Sequence, residues 1–258
     1  MTKRKILNLN LNNLELPLVD SKKNLSLEDY SETSENIAVH FRDLDQQLIK
    51  YIRNAKAVVG AVAWLTNEEI IEELAKKEFV SIVVQKEAYY RNPTEFWQQK
   101  IIRLYKQLPQ YSGQYVISGL PSRISSNDQL VDTWDAIRSV GVIADNNEII
   151  PLMHNKFLIF CDYDTIDVIV TNPIAVKNGL PESWCDMEVE VDILTPYAVW
   201  TGSFNITKNA VKSLENALYI TDFKIIDAYY SEWGQLLARS ESLDGMSNKY
   251  KPQWKIEY

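Results

Sequence analysis

The chain has 258 residues, enough to bury a core in one large domain. Hydrophobic residues make up 46 % and charged residues 24 %, a globular balance that excludes disorder over most of the length, and no apolar run reaches membrane-spanning length. The net charge of −8 and pI of about 5.0 argue against general coating of nucleic acid, which takes a basic surface, but leave room for a local basic patch.

The opening, MTKRKILNLNLNNLELPL, starts basic as a secretory leader does. Asn8, Asn10, Asn12 and Asn13 then interrupt the apolar stretch, so no leader is expected and the cytoplasm is the expected location. Residues 1–36 are polar and read as a loosely held arm. A domain is expected over 37–239, and residues 240–258 read as a polar tail whose Trp254 packs onto something.

Within the domain, Leu44, Leu48, Ile49 and Ile52 fall on one helix face. The unbroken apolar run from Ala57 to Trp64 suits a strand buried on both sides. Thr66 or Asn67 caps a second helix carrying Ile70, Ile71 and Leu74, and Phe79–Val84 reads as another buried strand. This order predicts a βαβ unit and a mostly parallel sheet. Residues 86–123 interleave basic side chains, among them Arg91, Lys100 and Arg103, with aromatics including Tyr89, Tyr90, Trp97 and Tyr105. Basic groups hold phosphates and aromatic faces stack on unpaired bases, which makes Arg91, Lys100 and Arg103 candidate substrate-binding residues. The alternative is a core helix over 94–108 with its charges in water.

The second half opens with a predicted strand near 140–144, then MHNKFLIF, a strand from Met153 to Phe160. Residues 161–200 form an acidic insertion with Lys177 as its one base; turns are expected at Pro173, Asn178-Gly179 and Pro181, and an exposed strand over 188–194. A short strand at Ala198–Thr201 leads into Gly202-Ser-Phe-Asn205, read as a turn into a helix running to about Leu214. Ala217–Ile220 reads as a strand and Phe223–Leu237 as an amphipathic helix. Cys161 and Cys185 are too few for a disulfide framework and read as buried free thiols. With two histidines in the chain, metal ligands are scarce as well, and no metal or other cofactor is expected.

Three short patterns carry chemistry. His154-Asn155-Lys156 opens a strand, where alternation sends His154 and Lys156 to the same side. Gly202 permits a tight turn, and Ser203 and Asn205 can donate to an oxyanion, helped by amides at a helix start. Glu215, just before a strand, is placed to hold a histidine by its second nitrogen. The weaker readings are a packed core histidine, a simple N-cap at Ser203 and a surface acid at Glu215.

His-x-Lys, Gly-Ser-x-Asn and Glu-Asn before an apolar strand, in that order, resemble the phospholipase D superfamily, most closely its bacterial endonuclease branch. The likeness runs from about Ile37 to Leu237 and includes QLIKYIRNAKAVVGAVAWL at 47–65. It implies an α/β sandwich with a mixed, mostly parallel central sheet flanked by helices. It also implies a metal-independent phosphodiesterase, with His154, Lys156, Asn205, Glu215 and Ser203 as the catalytic set. One motif copy implies a homodimer with a shared active site and a nucleic acid substrate, DNA or RNA. His40, in VHFRD, has no matching context. Two features depart from the family pattern: Cys161 stands where an Asp is common, and the span from Lys156 to Gly202 is long. That acidic span is expected beside the site. A phospholipase or phosphatidyltransferase shares the chemistry, but no membrane-docking segment is apparent. A catalytically silent binding subunit beside a helicase or ATPase is the other alternative.

Overall fold

In the computed structural model, described residues are 9–17, 24–111, 124–126, 135–143, 149–171, 186–252 and 254–256. In chain order the elements are β1 (Glu15–Pro17), β2 (Asn24–Ser26), β3 (Glu32–Thr33), β4 (Ile37–His40), α1 (Leu44–Asn54), β5 (Ala57–Val62), α2 (Glu68–Leu74), β6 (Phe79–Gln85) and α3 (Phe96–Tyr105). They continue with β7 (Ile124–Ser126), β8 (Ile137–Val140), β9 (Lys156–Thr171), β10 (Asp186–Gly202), β11 (Ala217–Ile220), α4 (Phe223–Ala238), β12 (Glu241–Ser242) and β13 (Trp254–Ile256).

Local chemistry explains several boundaries. Asn67 caps α2 as expected, its side chain accepting from the amides of Glu69 and Ile70. The buried face of α1 is Leu44, Leu48, Ile49 and Ile52, and every residue of β5 and β6 is buried. A nine-stranded sheet runs β12-β8-β6-β5-β9-β10-β11-β4-β3. It is mixed, as expected. Parallel pairing is confined to β6 with its neighbours β5 and β8; the other pairs are antiparallel. Crossover helices make the first half parallel, whereas hairpin-type connections make the second half antiparallel.

Helices cover both faces. On one side α1, α2 and α3 pack over a core that includes Val58, Val62, Ile82, Leu158 and Trp200. On the other, Ile226, Tyr230, Trp233 and Leu237 of α4 lie against Val59, Ala61, Ile159 and Val199. β5 and β9 approach so closely that a Cβ on Gly60 would stand 2.3 Å from the Phe157 carbonyl oxygen. The flanking segments add edge strands: β3 pairs with β4, and β12 pairs with β8. Trp254 begins β13, which pairs with β7. Among the described residues no helix is long and apolar enough to cross a membrane.

Three expectations need correction. Residues 203–214 do not form an α-helix: Ile206 is buried and bridges to Leu65, its carbonyl accepting from Thr66 and Asn67, and only a 3-10 turn at Ala210–Lys212 follows. The strand expected near 140–144 lies at Ile137–Val140. The described part of the acidic insertion runs away from the site rather than beside it. It is a two-stranded ribbon in which β9 and β10 pair from Phe157↔Thr201 to Thr171↔Asp186, whereas β9 pairs with β5 only from Lys156 to Cys161. The ribbon leaves the sheet at the end opposite Lys156 and, at about 3.3 Å per residue, runs on for roughly 33 Å from Cys161 to Thr171. Lys56, donating to Asp164, and Phe79, stacked on Tyr163, hold its root. The expected turns at Pro173, Asn178-Gly179 and Pro181, Lys177, and also Cys185, lie outside the described residues. Cys161 is buried and free, and burial pushes its thiol well above the ordinary range.

Candidate functional site

The carboxyl ends of β5 and β6, the start of β9, the end of β10 and the start of β11 meet at one edge of the sheet. In open α/β sheets this is where ligands bind. Register fixes the arrangement: Val62 pairs with Lys156, Phe157 with Thr201, and Gly202 with Ala217. Gly202 is required by packing, since a Cβ there would stand 2.3 Å from the Asn216 carbonyl oxygen.

His154 lies just before β9 and is exposed. Its backbone is pinned on both sides. The Met153 amide donates to the buried Gln85 side chain (2.7 Å), and the Ala63 amide donates to the Asn155 carbonyl (2.8 Å). Lys156 Nζ is 3.0 Å from Nδ1 and 3.2 Å from Nε2 of His154, and it donates to the His154 carbonyl at 2.9 Å. Near-equal reach to both ring nitrogens places the ammonium over the imidazole rather than in line with one lone pair. Partial burial lowers the Lys156 pKa, and the opposing charge of Glu215 holds it up.

Glu215 is taken by Ser203: Ser203 Oγ donates to Glu215 Oε2 and accepts from the Asn216 amide (3.1 Å). The carboxylate therefore faces the serine and the lysine. The hydrogen bond to imidazole expected from sequence is not formed in this arrangement. Asn205 Oδ1 is buried with no hydrogen-bond partner, an arrangement that a donor from a ligand or another subunit would relieve. The cleft beside these groups measures about 390 Å³ and is lined by His154, Lys156, Thr201, Tyr229 and Glu232 among others.

Of the other sequence candidates, Arg91 donates to the Met246 carbonyl (3.2 Å) and to Asn248, and Lys100 is ion-paired with Glu68. Both serve contacts within the fold, whereas Arg103 is exposed on α3. His40 ends β4 opposite Ala217, at this same end of the sheet, but its ring is held in an aromatic nest, 3.0 Å from Tyr51 Oη and stacked on Trp200. Sequence reasoning missed Trp64, whose ring meets His154 edge-on with centroids 5.4 Å apart and whose Nε1 donates to Glu87 (2.9 Å). It also missed Gln85 and Tyr229. Trp64 ends an apolar run and reads as core; only its position at a strand's carboxyl end beside the motif histidine marks it.

The fold and site define an α/β protein that gathers an imidazole, an ammonium, a carboxylate and a hydroxyl at the carboxyl ends of its parallel strands. No family model matches the sequence. The chain is 30 % identical over 238 residues to uncharacterized protein L381 of Acanthamoeba polyphaga mimivirus, a match covering 84 % of this chain and 71 % of that protein. The chain belongs to the same family as L381. Among solved structures it is similar to NucT from Helicobacter pylori, with a TM-score of 0.46 and 16 % identity over 80 % of this chain and 98 % of that one. It is also similar to Nuc from Salmonella typhimurium, described as a phospholipase D family member, with a TM-score of 0.42 and 16 % identity over 80 % and 95 %.

Proposed function

We propose that this chain is a metal-independent phosphodiesterase of the phospholipase D type that cleaves nucleic acid as a homodimer. The observation that carries the reading is that His154 with Lys156, the Gly202-Ser-Phe-Asn205 turn and Glu215 gather at one end of the sheet, Ser203 bonding Glu215 and the charge of Glu215 reaching Lys156. In the first step neutral His154 Nε2 attacks phosphorus in line. The P–N bond forms as the bond from phosphorus to the leaving oxygen breaks, and that oxygen takes a proton from the partner subunit's His154. In the second step water attacks phosphorus, gives its proton to that second imidazole, and the P–N bond breaks. Lys156 places positive charge against the non-bridging oxygens, and Asn205 donates to them. Glu215 keeps Lys156 charged at the site and fixes Ser203.

A second copy is needed because attack and departure are in line, so one imidazole cannot serve both ends. Leu152 and Leu214, each close to a motif residue, are 46 % and 50 % exposed and offer apolar surface at the rim where that copy would seat. The test is incubation of the purified protein with labelled single- and double-stranded DNA and RNA in EDTA, beside His154→Ala. Cleavage by the wild type alone is expected. Activity that vanishes in EDTA and returns with magnesium or manganese would refute the mechanism.

A further inference from the structure

A second cleft of about 400 Å³ is bounded by Trp64, the ring that meets His154 edge-on. Trp64, Tyr89 and Trp97 line it, with Thr66, Thr207 and Asn209 at its polar edge. Tyr89 and Trp97 meet with ring centroids 5.2 Å apart at 57°, and Trp97 is 45 % exposed. Of the other aromatics of the region, Tyr90, Tyr105 and Tyr111 are buried in the core, and Phe96, exposed, does not line the cleft. Glu87 also lines the cleft, its carboxylate accepting from Trp64 Nε1. That negative charge disfavours a phosphate inside. A flat, uncharged ring with polar edges meets no such penalty.

We propose that this cleft is a nucleobase subsite, in which an unpaired base stacks against Trp97 and Tyr89 while the adjoining phosphate lies at His154. The subsite rests on the reading of the His154 edge as a phosphodiesterase site. Trp64 lines the subsite and its ring meets that of His154, so a strand held at one reaches the other across a single indole. A base inside a duplex has both faces stacked and its edge paired, so the ligand is single-stranded nucleic acid. Thr66, Thr207 and Asn209 meet the edge of the base, and the aromatic walls accept any base face.

The test uses the full-length His154→Ala protein, which cannot turn over its ligand. Its affinity for a short single strand is measured by anisotropy and tryptophan quenching, beside the same strand built from abasic units and beside a duplex. Trp97→Leu, at an exposed position that tolerates the change, is expected to weaken binding of the base-bearing strand about 5- to 150-fold, the range for loss of one stacked base. Trp97→Phe restores most of that affinity. Binding of the abasic strand is weak and unaffected by either change. The subsite is refuted if Trp97→Leu leaves the base-bearing strand unaffected, if the abasic strand loses as much, if the duplex binds as well as the single strand, or if no nucleic acid binds. Cleavage by wild type with unaltered binding in Trp97→Leu sinks the subsite alone. Absence of cleavage together with normal stacking behaviour sinks the phosphodiesterase reading instead.

Discussion

At the scale of single residues, the two histidines differ in surroundings more than in sequence. His154 is exposed, pinned by its neighbours' backbone and covered by an ammonium; His40 is 9 % exposed and wedged between Tyr51 and Trp200. His154→Ala is expected to abolish turnover. Lys156→Ala and Asn205→Ala should each lower kcat about 10²–10³-fold, the usual loss for one oxyanion-stabilising group. His40→Ala should leave kcat unchanged; equal losses at both histidines would show the wrong one has been assigned. His40 instead carries a stability signal. Burial lowers its pKa, Lys50 pushes the same way, and Asp29 opposes them. The imidazole is therefore held neutral in the fold, while in the unfolded chain it protonates near its ordinary value of about 6.5. Its contribution is complete above that value and is lost as pH falls through the folded pKa. Melting curves between about pH 5 and 8 should show a wild-type Tm that drops on the acid side, with a shallower drop in His40→Phe. Parallel curves for the two proteins would remove His40 from the account.

At the scale of elements, the tail that follows α4 is bolted to the sheet by buried charge. Lys86, fully buried, is ion-paired with Glu241 and also donates to the Lys249 carbonyl; Arg138 Nε donates to Ser240 Oγ at 2.8 Å. Burial brings the Arg138 pKa down to about 10, against the charges of Asp135 and Glu241. Lys86→Met leaves Glu241 buried without its cation and should cost about 3–5 kcal/mol in urea unfolding. Adding Glu241→Leu should recover much of that loss; if the double variant is no better than the single, the pair is not what holds the tail. None of this was legible in sequence, since Lys86 and Glu241 are far apart along the chain. The same distance hid the destinations of Arg91 and Lys100. What was legible was local: the stripe of α1, the Asn67 cap and the buried runs of β5 and β6 each depend on residues within a turn or a strand. Gly202-Ser-Phe-Asn205 looked like a helix start because its residues suit a cap. The contact that overrides this, Ile206 against Leu65, spans more than a hundred residues. β9 was cut short in the reading because its apolar run stops at Phe160, although acid and threonine alternate with apolar residues well beyond.

At the scale of the whole molecule, the proposed mechanism calls for a dimer. Sedimentation should give a mass near twice 29.8 kDa. In the proposed dimer a two-fold axis passes between the His154 rings and leaves one active site per pair of chains. Mixing excess His154→Ala subunits with wild type, under conditions of exchange, should then extinguish activity, because each mixed dimer keeps one histidine. A fully active monomer, or mixed dimers at half activity, would refute the shared site. The ribbon of β9 and β10 has a different bearing on the molecule. Past Asp167↔Glu190 its backbone pairs only within itself, and every pairing of β9 with β5 and of β10 with β11 lies nearer the root. Joining Asp167 to Glu190 through an Asn-Gly turn, the favoured link for two antiparallel strands, would keep the Thr165–Asp192 hydrogen bond and the whole sheet. The ribbon is thus a natural graft point: its outer half can be exchanged, shortened or extended while the chemistry, at the far end of the same two strands, keeps its geometry.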